Sequence, residues 1–224
     1  LKKLNKQFPF FHTDACQTPL FFSQNTQKLG IDYLSLDGQK MYGPKGVGAL
    51  YRKNGSPSAP LFYGGDQESG LRPGTLNVPL IVGLAKAMQI AEKERESVSK
   101  NLTKLRDYFI KKILEKIPRA ELNGDAERRS PNNVNISIPE IDNEWFVLAL
   151  DAYGIALSTR SACMTGETSP QSASHVITAL GKEEALAKSS LRFTLGRQTT
   201  KKDLDFVIDA LAEVLSRDNF KTQE

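Results

Sequence analysis

From Pro79 onward the apolar residues fall into step with an α-helix and stay there for many turns. Ile81, Leu84, Met88, Ile90 and Ala91 recur at helical spacing, and the periodicity resumes through Leu102, Leu105, Phe109, Ile113 and Ile117. A pattern of this length predicts one long helix or two in tandem. Such a helix is a natural bridge in a two-domain protein. It places a boundary near residue 98, with residues 1–97 in one domain and 98–224 in a second.

The residues before the helix read differently, as short apolar runs punctuated by glycine-rich turns. Pro9–Ala15, Ile31–Leu36 and Gly46–Arg52 are expected strands, and Leu61–Tyr63 a fourth. Beyond it the expected order is strand, helix, strand, helix, strand, helix. These are Asn132–Ile138, Asn143–Tyr153, Ile155–Ser158, Ser172–Leu180, Leu191–Leu195 and Lys201–Ser216. Thr200 and Asp203 form a capping-box pattern ahead of the stripe Leu204, Val207, Leu211, Val214. Interleaved strands and helices argue an α/β or α+β fold with a helix-covered sheet.

Bulk properties narrow the function classes. Hydrophobic residues make up 39% and charged residues 25%, ordinary for a globular protein. No apolar run approaches the roughly 20 residues that span a bilayer, and no leader pattern opens the chain, so no membrane role and a cytoplasmic location are expected. The first residue is Leu1 rather than Met, which suggests a truncated frame or a processed fragment. The net charge of +4 is spread over helix faces, as at Lys111, Lys112 and Lys116, without the aromatic alternation of a nucleic-acid surface. The two cysteines, Cys16 and Cys163, stand far apart, so neither a disulfide framework nor a zinc site is expected.

Lys40 follows an expected strand in the polar turn Asp37-Gly38-Gln39-Lys40, just before Tyr42-Gly43-Pro44. An imine-forming lysine must be held rigidly, with neutral amine accessible, and a turn at a strand end provides that rigidity. Taken alone, Lys40 also reads as a surface lysine in a loop. Asp14 ends an apolar strand, as does a carboxylate that must meet a pyridine nitrogen, because a protonated ring is the electron sink of pyridoxal chemistry. It also reads as a helix or turn cap. Gln17 lies one turn further on, within reach of such a ring. Cys16 reads as a packing residue.

His12-Thr13-Asp14-Ala15-Cys16-Gln17, Gly38-Gln39-Lys40-Met41-Tyr42-Gly43-Pro44-Lys45-Gly46 and Arg72-Pro73-Gly74-Thr75-Leu76 resemble the cofactor-binding half of cysteine desulfurases. These are fold-type-I pyridoxal 5'-phosphate (PLP) enzymes of aminotransferase class V. Ser161-Ala162-Cys163, Ser174-His175-Val176 with Ala179-Leu180-Gly181, and Leu191–Arg197 are similar to that family's small domain. Six blocks in matching order cover almost the whole chain. The resemblance implies an α/β fold: residues 1–97 as part of a PLP-binding large domain whose sheet is incomplete, and 98–224 as a small α+β domain carrying the cysteine loop. Lys40 would hold the cofactor covalently, Asp14 would pair with the ring nitrogen, and Gln17 would bond its phenolic oxygen. Asp37 and Gln39 would flank the cofactor, and Thr75 would reach the phosphate of a neighbouring subunit, implying a homodimer. Arg192 would clamp the substrate carboxylate. Cys163 would take sulfur from L-cysteine, leaving alanine and an enzyme persulfide for a sulfur-acceptor protein in iron–sulfur cluster assembly or tRNA thiolation. Only a thiolate attacks well, and the polar flanks Ser158–Ser161 and Thr165–Ser169, with Arg160, suit one.

Three departures stand against this. Asp37 and Gln39 occupy positions where the family usually has serine and histidine, and a carboxylate there would repel the phosphate. Arg160 stands at a common glycine. The family's N-terminal region, a little under half of the enzyme, is missing, so activity of this chain alone is not expected to follow automatically. The alternatives are another class V enzyme, such as a selenocysteine lyase or an aminotransferase, and an inactive homologue serving as a binding subunit.

Overall fold

A computed structural model of the chain describes residues 9–159 and 173–217. The chain divides into two compact units, residues 1–98 and 99–224. The first contains a three-stranded sheet in the order β1-β2-β3, formed by His12–Asp14, Tyr33–Asp37 and Gly48–Arg52. β1 and β2 run parallel, with Asp14 beside Ser35, and β3 returns antiparallel along β2. Parallel neighbours need a crossover. Here it includes the short helix α1 (Thr26–Leu29), capped by Asn25, whose side chain accepts from Lys28 N–H. Leu34 and Leu36 alternate inward from β2 and join Ala15, Leu20, Phe21, Ile31 and Met41 in the core of this unit.

The periodic segment forms one helix, α2, from Val78 to Lys116, rather than a tandem pair. Asn77 receives its first turn, its side-chain oxygen accepting from Leu80 N–H at 3.3 Å. Pro79 is tolerated because first-turn N–H groups have no helical partner. The helix stops at Lys116, two residues before Pro118, which could not continue it. Within the first unit α2 buries Leu84, Ala87 and Ala91.

In the second unit, β4 (Glu121–Leu122), β5 (Asn133–Ser137) and β6 (Ser190–Thr194) form an antiparallel sheet in that order. Val134, Ile136 and Ile138 leave β5 on one side and are fully buried. Phe193 meets Phe109 edge-on, ring centroids 5.3 Å apart. Helices α3 (Asn143–Asp151) and α6 (Lys201–Ser216) add Phe146, Leu150, Leu204, Leu211 and Val214 to this core. Asp142 caps α3 by accepting from Glu144 and Trp145 N–H groups. The Thr200–Asp203 capping box on α6 is present in both directions. Two short helices, α4 (His175–Ala179) and α5 (Glu184–Lys188), lead into β6.

Two expected strands are corrected. Among the described residues Leu61–Tyr63 pairs with no strand and forms an exposed irregular stretch, since a strand needs a ladder of partners. Ile155–Ser158 contributes only an isolated antiparallel bridge, Ser158 to Arg192. The helix expected over Ser172–Leu180 is confined among the described residues to α4.

Candidate active site

In an open α/β sheet, ligands sit beyond the carboxyl ends of parallel strands. β1 ends at Asp14 and β2, in parallel register, at Asp37. The pair therefore delivers two carboxylates to one edge of the sheet. The chain leaves β2 through Gly38 into a single 3-10 turn, Gln39–Met41, which carries Lys40.

This turn is fixed by backbone and by close packing. Gly38 N–H donates to Val47 O and Gly43 N–H to Gly38 O, both at 2.9 Å. A side chain at Gly43 would meet Gly38 O at 2.8 Å and Ala87 Cβ at 2.9 Å. One at Gly83 of α2 would meet Pro44 Cγ at 2.5 Å. The loop after Lys40 thus lies directly on the first turns of α2, and Met41 is fully buried beneath it. Lys40 itself is exposed, anchored at its backbone and free to reach outward.

Asp14 accepts the backbone N–H of Cys16 on Oδ1 at 2.9 Å. The neighbouring Cys16 side chain, then its backbone N–H, hold the Asp14 carboxyl below the usual carboxylate range, and the charge of His12 adds to them. Cys16 is half-buried. Its thiol is pushed up to about 11 by burial, then by the hydrogen bond to Asp14 and the charges of Asp14 and Asp37, with Lys40 acting in the opposite sense. Cys16 is therefore a neutral thiol that feels Asp14, Asp37 and Lys40 together, and not simply a packing residue. On the same face of β1 as Asp14, His12 Nε2 shares a hydrogen bond with Ser35 Oγ at 2.9 Å.

Asp37 turns both oxygens to its own loop. Oδ1 accepts from Gln39 N–H at 3.1 Å and Oδ2 from Gln39 Nε2 at 3.3 Å. Gln17 is exposed just past β1. Thr75 is exposed in the loop before α2, after Gly74 in a positive-φ conformation. In that loop Arg72 lies over the Phe62 ring, 5.7 Å from its centroid.

Arg192 belongs to the second unit, half-buried on β6. It exchanges two backbone hydrogen bonds with Ser158, at 2.7 and 3.1 Å. Cys163, with Arg160 and Ser161, lies outside the described residues. Sequence reasoning gathered Asp14, Asp37 and Lys40 but read Cys16 as a packing residue and gave His12 no role of its own. The signal was available in the alternation His12, Asp14, Cys16, which leaves Asp14 flanked by two groups able to act on its charge.

Residues 2–207 match the aminotransferase class V family. The chain is 43% identical over 218 residues to a cysteine desulfurase IscS of Dictyoglomus turgidum, an alignment covering 97% of this chain and 55% of that protein. It is 44% identical to a cysteine desulfurase IscS of Methanosarcina thermophila, covering 93% of this chain and 50% of that one. Among solved structures, a NifS-like protein superposes with a TM-score of 0.84 at 35% identity, over 96% of this chain and 54% of the other. A NifS-like protein from Rickettsia africae gives 0.80 at 30%, over 92% and 54%. The chain spans about half the length of the curated relatives it matches. Asp14 at the end of β1 and Lys40 in the turn after β2, the shared α/β fold and a family match over nearly its full length make this chain a member of the aminotransferase class V family.

Proposed function

We propose that this chain carries the lysine-bearing part of a PLP-dependent cysteine desulfurase. The observation behind this is the convergence of Asp14, Asp37 and Lys40 at the carboxyl ends of β1 and β2. The donor set suits PLP: an ionised carboxylate for the ring nitrogen, a primary amine for the carbonyl carbon, and exposed Gln17 and Thr75 as further donors. PLP, when bound, supplies an electron sink for bond changes at the amino-acid substrate.

The chain's own residues then divide the work. Asp14 would set its carboxylate against the ring nitrogen of bound PLP, and the Gly38–Gly43 turn anchors the backbone that carries the exposed Lys40 amine. Asp37 and Gln39, bonded to each other, border the same edge. Arg192 offers a guanidinium to the substrate carboxylate. Cys163 accepts the sulfur, so that L-cysteine and the enzyme thiol become L-alanine and an enzyme persulfide. Thr75 reaches the phosphate of a second subunit in a homodimer. The persulfide would pass to an acceptor protein serving iron–sulfur clusters or tRNA thiolation in a reducing cytoplasm; the names of the relatives and the family membership support the desulfurase step itself.

Absorbance of the purified protein with added PLP tests this. A band at the violet edge of the visible, lost in Lys40→Ala, is the expected result, followed by alanine release that also depends on Cys163. No band in the folded protein would leave the inactive-homologue reading, for which the Asp37 carboxylate on the cofactor edge is the one favouring observation.

A further inference from the structure

The loop ahead of α2 is drawn together by one side chain. Gln67, half-buried in an otherwise exposed stretch, accepts the Gly74 N–H on Oε1 at 3.1 Å. The same amide presses on the other limb of the loop, where a side chain at Gly65 would meet Gln67 Oε1 at 2.6 Å and Cδ at 3.2 Å. One at Gly64 would meet Pro73 Cβ at 3.0 Å. The two limbs thus close on each other, with the Gln67 amide in contact with both. Between them the backbone runs left-handed through Glu68, Ser69 and Gly70, at φ of 49°, 59° and 73°. Gly70 N–H donates to Asp66 O and Gln67 O, both at 3.1 Å, and Leu71 N–H to Glu68 O at 3.2 Å. Glutamate and serine take up such a backbone at a cost, and it persists where surrounding contacts hold it, often at ligand clamps. What this turn and the Gln67 clamp fix is the corner at Gly74, itself at φ 117°, immediately before the exposed Thr75.

We propose that Gln67 is a positioning residue of this site, whose amide oxygen on the Gly74 N–H sets the corner from which Thr75 presents its hydroxyl to the cofactor phosphate. The inference rests on the reading of Thr75 as a phosphate donor to a neighbouring subunit. Glycine has the widest backbone freedom of any residue, so the direction of the Gly74 corner is imposed from outside it. Gln67 supplies that constraint and acts through Thr75.

Exchange of the Gly74 amide proton, followed by NMR on the full chain, reads the clamp without any cofactor. Gln67→Ala speeds this exchange several-fold, whereas Gln67→Glu, which keeps an acceptor oxygen on a side chain of the same length, leaves it slow. Spectrophotometric titration with PLP reads the consequence. Gln67→Ala and Thr75→Ala each weaken binding several-fold, and the double variant binds no more weakly than Thr75→Ala alone, because the two residues act as one unit. A side chain that only stabilised the loop would add its loss to that of Thr75. Gly74 exchange unchanged in Gln67→Ala overturns the clamp. Losses that add in the double variant overturn the route through Thr75, as does full PLP affinity in Gln67→Ala beside a weakened Thr75→Ala. If Thr75→Ala keeps the wild-type affinity, or the wild type binds no PLP, the reading of Thr75 falls and the positioning role of Gln67 falls with it. That failure shows in the titration and failure of the clamp shows in the exchange, so the two are told apart.

Discussion

Gly83 shows how a single position controls the lysine turn. A methyl group there would stand 2.5 Å from Pro44 Cγ, and a proline ring has little freedom to yield. Gly83→Ala is expected to destabilise the first unit by about 1–3 kcal/mol, as overpacking does, and to weaken PLP uptake through the displaced turn. Urea unfolding and PLP absorbance measure the two effects. Asp37 poses a separate question of charge. Its carboxylate is satisfied by Gln39, yet it stands on the edge where an anionic phosphate is proposed to bind. Asp37→Ser removes that like charge and is expected to tighten PLP binding several-fold in a spectrophotometric titration. Unchanged affinity would mean that the two bonds to Gln39 already hold the carboxylate away from the phosphate.

Among the elements, α6 depends on its first turn. Thr200 accepts from Asp203 N–H, and Asp203 Oδ2 accepts from Thr200 N–H and O–H, both at 2.8 Å. Thr200→Ala is expected to cost about 1 kcal/mol in chemical denaturation, the usual value of such a cap. The hydrogen bond from the Thr200 N–H, then that from its hydroxyl, hold the Asp203 carboxyl below its ordinary 3.8. A depressed folded-state value means a contribution present above the unfolded pKa and lost as pH falls through the folded one. The acid limb of a stability profile is therefore expected to flatten in Asp203→Asn, with the neutral limb lowered. In the second unit, Phe109 of α2 is fully buried edge-on to Phe193 of β6. Phe109→Ala is expected to cost about 3–5 kcal/mol in chemical denaturation, since it removes a fully buried ring and leaves a cavity in its place.

For the molecule as a whole, the first unit carries apolar side chains in solvent: Leu61 is 89% exposed, Tyr63 87%, and Phe62, Leu50 and Phe10 at least 60%. Exposed apolar surface of this kind marks an interaction site. With the proposed homodimer, sedimentation velocity is expected to show a twofold mass that falls on joint replacement of Leu61 and Tyr63 by serine. The sequence by itself determined the elements whose signal is local: the period of α2, the capping box and stripe of α6, the alternation of β5 and the strand-end places of Asp14 and Lys40. These survive because helical periodicity and capping are settled within a few residues. Tertiary structure decided the rest. Leu61–Tyr63 and Ile155–Ser158 have the composition of strands, but a strand exists only where another supplies its hydrogen bonds, and the first found no partner and the second a single residue. The two-residue β4 has too little pattern to read, and it forms because β5 offers Ile136 and Ser137 to pair with.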